Sequence, residues 1–267
     1  MMRRRFRRSD TEAAAARRGR RRGAVRTGVL AGAVLLCSGA LAAADPGLPR
    51  APQMQFVPPA AGTYALQRIQ ACPDGVLLDA SGRARPLADF TRGKITLLTF
   101  FYTHCTDPLG CPFAVGLMSA LRDRIGADPD LAGNVRFVSI SFDPAHDSPQ
   151  RLRSYARSLS AGAPFEWDFL TASSMARLAP VLDDFGQDVR IELDSQGRPA
   201  RAINHMLKLF LIDPAGTVRE IYALDYLQPQ VMLNDIRTLR LEAQGHERHQ
   251  AASTPAGSSA AGPRGGR

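Results

Sequence analysis

Residues 95–112 read ITLLTFFYTHCTDPLGCP. The apolar run 95–101 predicts a buried strand that delivers Cys105 at its end, and Pro112 is typical of the first turn of a helix. Cys111 is therefore expected at a helix N-terminus, where the helix dipole and free backbone amides favour the thiolate. Because thiolates bind soft metals and attack disulfides, two thiols across one short turn indicate a chemical site.

The rest of the central region predicts alternating strands and helices, closed by a hairpin whose turn is Asp213-Pro214-Ala215-Gly216. We expect strands at 135–142, 165–170, 206–212 and 217–222, and helices from Cys111, from Pro149, at 173–185 and at 229–241. This order predicts an α/β fold with a central mixed sheet flanked by helices on both faces. A cysteine pair at the start of the helix that follows a strand is the thioredoxin-like arrangement.

The N-terminal segment carries most of the charge imbalance of the 267-residue chain, whose formal net charge is +9. Residues 1–26 hold eleven arginines against Asp10 and Glu12, and an uncharged run, 27–44, follows. This pattern predicts an export signal at 1–44 with cleavage after Ala44; the alternative is a membrane anchor retained through 27–44. Since the remainder is neutral, a nucleic-acid partner is not expected.

Three further regions follow from composition. Residues 45–62 hold five prolines and predict an extended linker, 63–243 form the predicted domain, and 244–267, rich in Ala, Gly, Ser and Pro, predict a disordered tail. His246 and His249 lie in that tail, where we expect solvated side chains rather than metal ligands.

The residues alone leave several chemistries open for the cysteine pair. The Cys-x5-Cys spacing is wider than the Cys-x2-Cys of redox motifs, and the pair could form a structural disulfide, a redox disulfide or part of a metal site. Two thiolates with the imidazole of His205 would suit Cu(I), and also zinc, although a lone histidine is more often structural. Alternation directs His104 away from Cys105, towards core or solvent. Two roles are open for Cys72: burial as a small hydrophobic residue, which we favour, and reaction with an external thiol.

The chain resembles the Sco/SenC family in a set of short motifs over residues 64–242. They are Tyr102-Thr103-His104-Cys105, Cys111-Pro112, Ser139-Ile140-Ser141-Phe142-Asp143-Pro144 with Asp147, and Asn204-His205 before Leu209-Phe210-Leu211-Ile212-Asp213-Pro214. The resemblance implies a thioredoxin-like, exported or membrane-anchored protein that binds one copper ion, Cu(I) or Cu(II), and helps to assemble the copper centre of cytochrome c oxidase.

Carried over by motif, the resemblance implies that Cys105, Cys111 and His205 are the metal ligands and that Asp143 is a nearby polar partner. Asp143 could instead end a strand or cap a helix. The implied partner is the copper subunit of cytochrome c oxidase or another copper or thiol protein, and the implied location is the periplasm or the periplasmic face of the inner membrane. One departure is the five residues between the cysteines, where the family has three.

Two other functions use the same residues. The first is a periplasmic thiol-disulfide oxidoreductase in which Cys105 and Cys111 are catalytic and His205 is dispensable. The second is a module that senses copper or oxidants. Of these possibilities, the sequence favours a copper chaperone over a turnover enzyme, because Asn204-His205-Met206 stands where thioredoxin-like reductases generally have a cis-proline.

Overall fold

A computed structural model of the chain describes residues 56–159, 165–193, 196–197 and 199–253. The strands in these ranges are β1 (Gln70–Ala71), β2 (Val76–Leu78), β3 (Ala84–Pro86), β4 (Ile95–Phe101), β5 (Val135–Ser141), β6 (Trp167–Leu170), β7 (Val189–Leu193), β8 (Pro199–His205), β9 (Lys208–Ile212) and β10 (Thr217–Ala223). The helices are α1 (Ala88–Thr91), α2 (Cys111–Gly126), α3 (Pro129–Ala132), α4 (Pro149–Leu159), α5 (Met175–Asp184) and α6 (Pro229–Ser253), with a 3-10 turn at Leu224–Tyr226.

Six strands form one mixed sheet in the order β1-β10-β9-β4-β5-β6. Strands β4, β5 and β6 run parallel to one another, whereas β9 is antiparallel to β4 and β10 is antiparallel to β9. Two small antiparallel sheets, β2-β3 and β7-β8, complete the described strands. The predicted α/β class with a central mixed sheet is confirmed.

The sheet is buried on both faces because its central strands carry apolar residues at odd and at even positions alike. All residues of β4 and β5 are buried. Leu98 and Phe100 belong to one core with residues of α4 and α5, whereas Ile95 and Leu97 belong to a second core with residues of α2 and α6. This alternation is the period-two geometry of a strand, so each face of the sheet packs against its own pair of helices.

Most of the predicted elements are present, with shifted ends. The hairpin β9-β10 turns at Asp213–Gly216, where the Gly216 amide donates to the Asp213 carbonyl. Helix α4 follows Ser148, whose hydroxyl accepts from the Arg151 amide at 3.3 Å. These contacts are the turn and the N-cap that the sequence indicates.

The C-terminal boundary differs from the prediction. Helix α6 continues to Ser253, so residues 244–253, which composition assigned to a disordered tail, are helical. The last turns of α6 carry mostly polar and small residues, and this composition is why a tail was predicted there. Helix propensity and continuity with the packed first half of α6 prevail there.

The N-terminal boundary also differs, because the end of the predicted linker is docked on α6. The Pro59 carbonyl accepts from Asn234 Nδ2 at 2.7 Å, and the Gly62 amide donates to Thr238 Oγ1 at 2.9 Å. The predicted export or anchor segment lies outside the described residues. Within the described ranges, no helix combines the length and apolarity needed to cross a membrane.

Candidate functional site

The site lies at the carboxyl ends of β4 and β5. These strands are parallel and adjacent, so the loops that follow them meet at the same edge of the sheet. The first loop carries Cys105 and turns through Asp107, whose carbonyl accepts from the Gly110 amide at 3.0 Å. Helix α2 then begins at Cys111, and both thiols are free. The predicted strand, turn and helix start are all present.

His205 reaches this edge from the far half of the chain, as the last residue of β8. Its Nε2 lies 3.9 Å from Cys111 Sγ, and its Nδ1 lies 3.0 Å from the Ile203 carbonyl oxygen. A carbonyl only accepts, so Nδ1 carries the proton and Nε2 presents its lone pair towards the sulfur. The imidazole is therefore held in the tautomer that can bind a metal beside Cys111.

Two aromatic rings hold the imidazole of His205 in place. The Phe142 ring centroid lies 4.6 Å from that of His205, and the Tyr102 centroid lies 6.0 Å from it. The Tyr102 hydroxyl also accepts from the Ile203 amide at 3.5 Å. Because Tyr102 follows β4 and Phe142 follows β5, the two parallel strands support the histidine that β8 delivers.

Burial controls the protonation of the thiol at the helix start. Cys111 is only 2% exposed, and burial, with the neighbouring Cys105 thiol as a lesser cause, raises its pKa well above the ordinary value. The expectation that the helix N-terminus favours a thiolate at Cys111 is therefore wrong for the metal-free protein. The free amides do lower the pKa, but the cost of burying a charge is larger.

Asp143 lies apart from the thiols, with its carboxylate between two histidines. Its oxygens are 2.9 and 3.0 Å from His146 Nδ1, and its Oδ2 is 3.5 Å from His104 Nε2. His205 has a different polar contact, in which its Nδ1 donates to the Ile203 carbonyl oxygen. Asp143 thus contacts His104, the residue before Cys105, and its part as a polar partner of the ligands stays a prediction.

Asp147 joins the two loops. Its buried carboxylate accepts from the Thr103 amide at 2.9 Å and from the hydroxyls of Thr103 and Ser141 at 2.5 and 2.6 Å. Three hydrogen bonds satisfy the charge and fix the chain two residues before Cys105. This second acidic residue of the Ser139–Asp147 stretch thus has a clear structural role.

The structure brings Cys111 close to both His205 and Cys105, and the Cys105 side chain contacts the thiol of Cys111 and the hydroxyl of Tyr102. In the part of the chain that the structure describes, His104, Asp143 and His146 are the one set of potential ligands with all atoms within 4.8 Å. Cys105, Cys111 and His205 do not form such a set among the described residues, although Cys111 Sγ and His205 Nε2 are 3.9 Å apart. His146 is not among the residues that the sequence predicted for the site, although its spacing of three residues from Asp143 is visible there.

The remaining candidate residues lie away from this edge of the sheet. Cys72 is partly buried against the core, and burial raises its pKa to about 11, in agreement with its expected role as a small hydrophobic residue. His246 is exposed on α6, where its Nδ1 donates to the Glu242 carbonyl at 2.9 Å.

The sequence profile of the SCO1/SenC family matches residues 72–240. The SCO1 protein homolog of Bacillus subtilis is 25% identical over 131 residues, which are 49% of this chain and 63% of that protein, so the chain spans less than two thirds of this relative. A protein of Stutzerimonas stutzeri with a provisional name of copper-binding protein is 27% identical over 184 residues, 66% of this chain and 83% of that protein.

The fold is shared with solved structures. The crystal structure of Arabidopsis thaliana ScoI with copper bound superposes with a TM-score of 0.54 at 19% identity, and covers 64% of this chain and 99% of that one. This likeness establishes a thioredoxin-like fold. The profile match extends over more than half of the chain and includes both cysteines of the pair and His205. The chain therefore belongs to the SCO1/SenC family.

Proposed function

We propose that this protein binds one copper ion through Cys105, Cys111 and His205 and passes it to a partner protein. The observation that carries the proposal is the 3.9 Å approach of His205 Nε2 to Cys111 Sγ, with Nδ1 turned to a backbone carbonyl. This geometry leaves a lone pair aimed at a thiol, which is the arrangement of two metal ligands.

The donor set favours Cu(I). Thiolate sulfurs are soft ligands that select Cu(I) over hard ions, and imidazole is an acceptable third ligand. The relatives agree, since the Stutzerimonas protein is named for copper binding and the Arabidopsis structure contains copper.

Metal uptake would require the Cys105 loop to close. Ligands of one ion lie about 3.5 Å apart, given metal–ligand bonds of about 2.0–2.3 Å. Cys111 Sγ and His205 Nε2, at 3.9 Å, are already near that separation, but the three atoms with Cys105 Sγ do not form a compact set. Residues 106–109 are exposed, so the turn between the cysteines has room to adjust next to the start of α2. Cys111 and His205 would form the fixed part of the site.

Release would follow by exchange of ligands. As a partner's thiolate forms a bond to Cu(I), one bond from Cys105 or Cys111 breaks, and the freed sulfur takes up a proton. The buried Cys111 favours its protonated form, which would assist release. The proposed partner is the copper subunit of cytochrome c oxidase or another copper or thiol protein. The proposed location is the periplasm or the periplasmic face of the membrane, which the basic and apolar segment 1–44 supports.

The test is Cu(I) binding by the reduced protein without oxygen, measured by competition with a chromogenic chelator. We expect one equivalent of Cu(I), and we expect His205→Ala, Cys105→Ser and Cys111→Ser each to weaken binding by at least about tenfold. His246→Ala and Cys72→Ser are the matched controls, because they remove the same donor types elsewhere. Wild-type affinity in His205→Ala would remove the imidazole from the site.

A thiol-disulfide oxidoreductase is the second candidate, favoured by the contrast between a half-buried Cys105 and a buried Cys111 that are both free. Cys105 would attack a partner disulfide, Cys111 would resolve the mixed disulfide, and the partner would leave as a dithiol. Rapid turnover of a disulfide substrate that survives His205→Ala, together with loss of turnover in Cys105→Ser, would favour this function over copper transfer.

A further inference from the structure

A second group of potential metal ligands lies on the loops after β4 and β5. It consists of His104, Asp143 and His146, and one ligand atom from each lies within 4.8 Å of the others. The closest approaches are 2.9 Å between His146 Nδ1 and Asp143 Oδ2 and 3.5 Å between His104 Nε2 and the same oxygen. None of the three residues is a ligand of the proposed copper site.

Two of the three separations are close to those around a small cation. Ligand bonds of about 2.0–2.1 Å in tetrahedral geometry place the ligand atoms about 3.4 Å apart. The observed distances, 2.9 and 3.5 Å, bracket that value. The 2.9 Å approach is also that of an ordinary hydrogen bond, whereas 3.5 Å is long for one, and the His104 ring packs against the rings of Tyr102 and His146.

Burial favours a cation at this point. Asp143 is 7% exposed, and its carboxylate faces two imidazoles, which carry no charge unless protonated. A buried carboxylate requires a compensating charge or several donors. By contrast, the neighbouring carboxylate of Asp147 receives three hydrogen bonds. The His146 side chain is 66% exposed, which leaves one side of the group open for entry of an ion.

The loop that carries two of the ligands is fixed by its own backbone. The amides of His146 and Asp147 both donate to the Asp143 carbonyl, at 3.1 and 2.9 Å, and the Asp143 amide donates to the Ser141 hydroxyl at 3.1 Å. The ligand atoms are therefore preorganised, which lowers the cost of binding.

The Tyr102 ring contacts both this group and the imidazole of the thiol pocket. Its centroid is 4.7 Å from the ring of His104 and 6.0 Å from the ring of His205, both in edge contacts. The donors on its two sides also differ, since one set has soft sulfur and the other has only nitrogen and oxygen. Imidazole and carboxylate ligands suit divalent zinc, copper, nickel or cobalt rather than Cu(I).

We propose that His104, Asp143 and His146 form a second metal site that binds one divalent transition-metal ion, next to the thiol pocket and distinct from it. His104 precedes Cys105 directly, so the bound ion links the loop of that cysteine to the loop after β5. The proposal does not depend on copper at the cysteines.

The test is titration of the reduced full-length protein with Co²⁺, followed by visible and near-ultraviolet absorption. Cobalt bound to thiolate gives a sulfur-to-metal charge-transfer band, whereas cobalt bound to nitrogen and oxygen gives only ligand-field bands. We expect His146→Ala and Asp143→Asn to lose one equivalent of Co²⁺, or to bind it at least about tenfold more weakly, without loss of the charge-transfer band. Cys111→Ser is expected to lose that band and to retain the other equivalent.

His246→Ala is the matched control, because it removes an exposed histidine on α6 and leaves the proposed site intact. Wild-type stoichiometry and affinity in His146→Ala would overturn the second site. An equal loss in His246→Ala would assign the ion to α6 and would also overturn it. Failure of the copper proposal has a different signature, namely unchanged Cu(I) affinity in His205→Ala.

Discussion

At the scale of single residues, Cys111 shows two opposing electrostatic effects. The start of α2 favours a thiolate, but the side chain is 2% exposed and burial disfavours any charge. The second effect is the larger, and the pKa of Cys111 is raised well above its ordinary value. The reactive thiol of the metal-free protein is thus expected to be Cys105, which is half-buried.

This difference predicts an order of alkylation. When the reduced, metal-free protein is treated with iodoacetamide near pH 8, we expect Cys105 to be modified at least about tenfold faster than Cys111, because only an accessible thiolate reacts. Cys72, with its pKa raised to about 11 by burial, should also react slowly. Peptide mapping by mass spectrometry resolves the cysteines.

The same treatment in denaturant is the control, since all thiols should then react at similar rates. Modification of Cys111 before Cys105 in the native protein would contradict the order. It would show that the helix dipole outweighs burial at this position.

At the scale of helices and strands, the elements with strong periodicity were predictable. The run 95–101 became β4, and the proline after Cys111 lies in the first turn of α2. Their patterns are local, because strand alternation and helix-start residues are properties of a few neighbouring positions. This locality also made the position of Cys105 and Cys111 predictable.

The hairpin β7-β8 was not predicted, and it is the element that places His205. Val189 pairs with His205 and Ile191 pairs with Ile203, so the register of this hairpin decides where the imidazole lies. A resemblance between motifs identified His205 as a candidate, but its approach to Cys111 depends on contacts 94 residues apart. Such tertiary contacts carry no local sequence signal, and the same holds for the group of His104, Asp143 and His146.

Two glycines in different surroundings, one tightly packed and one open, allow a matched prediction about stability. A Cβ added at Gly75 would lie 2.5 Å from Val181 Cγ2 on α5, whereas a Cβ at Gly116, within α2, meets nothing within 4 Å. We expect Gly75→Ala to lower the free energy of unfolding by about 1–3 kcal/mol through overpacking. Gly116→Ala should raise it by up to about 1 kcal/mol, because alanine is the better helix former.

Urea unfolding with unchanged m-values measures both effects. Val181→Ala combined with Gly75→Ala should show a favourable coupling energy, because the clash is removed. Equal stabilities of Gly75→Ala and Gly116→Ala would contradict the packing of α5 against the segment before β2.

At the scale of the whole molecule, α6 connects the two ends of the described chain. Within about one turn of this helix, Asn234 and Thr238 hold Pro59 and Gly62 by hydrogen bonds. Asp235, between them, accepts from the hydroxyl of Tyr64 at 2.5 Å. The segment before β1 is thus part of the folded domain, which composition alone could not show, since proline-rich sequence predicts an extended chain.

Asp235 also connects α6 to the sheet, and removing this connection should lower the stability of the fold. The carboxylate accepts from the buried Tyr222 hydroxyl of β10 at 2.7 Å, although burial still raises the pKa of Asp235. We expect Tyr222→Phe to cost about 1–3 kcal/mol, because the buried carboxylate loses one of two tyrosine donors, and Asp235→Ala to cost about 2–5 kcal/mol, because two hydroxyls lose their acceptor. Tyr226→Phe is the matched control, since Tyr226 is 61% exposed, and it should change stability by less than about 0.5 kcal/mol. Equal unfolding midpoints in urea for Tyr222→Phe and Tyr226→Phe would mean that the Tyr222–Asp235 hydrogen bond does not stabilise the packing of α6 on the sheet.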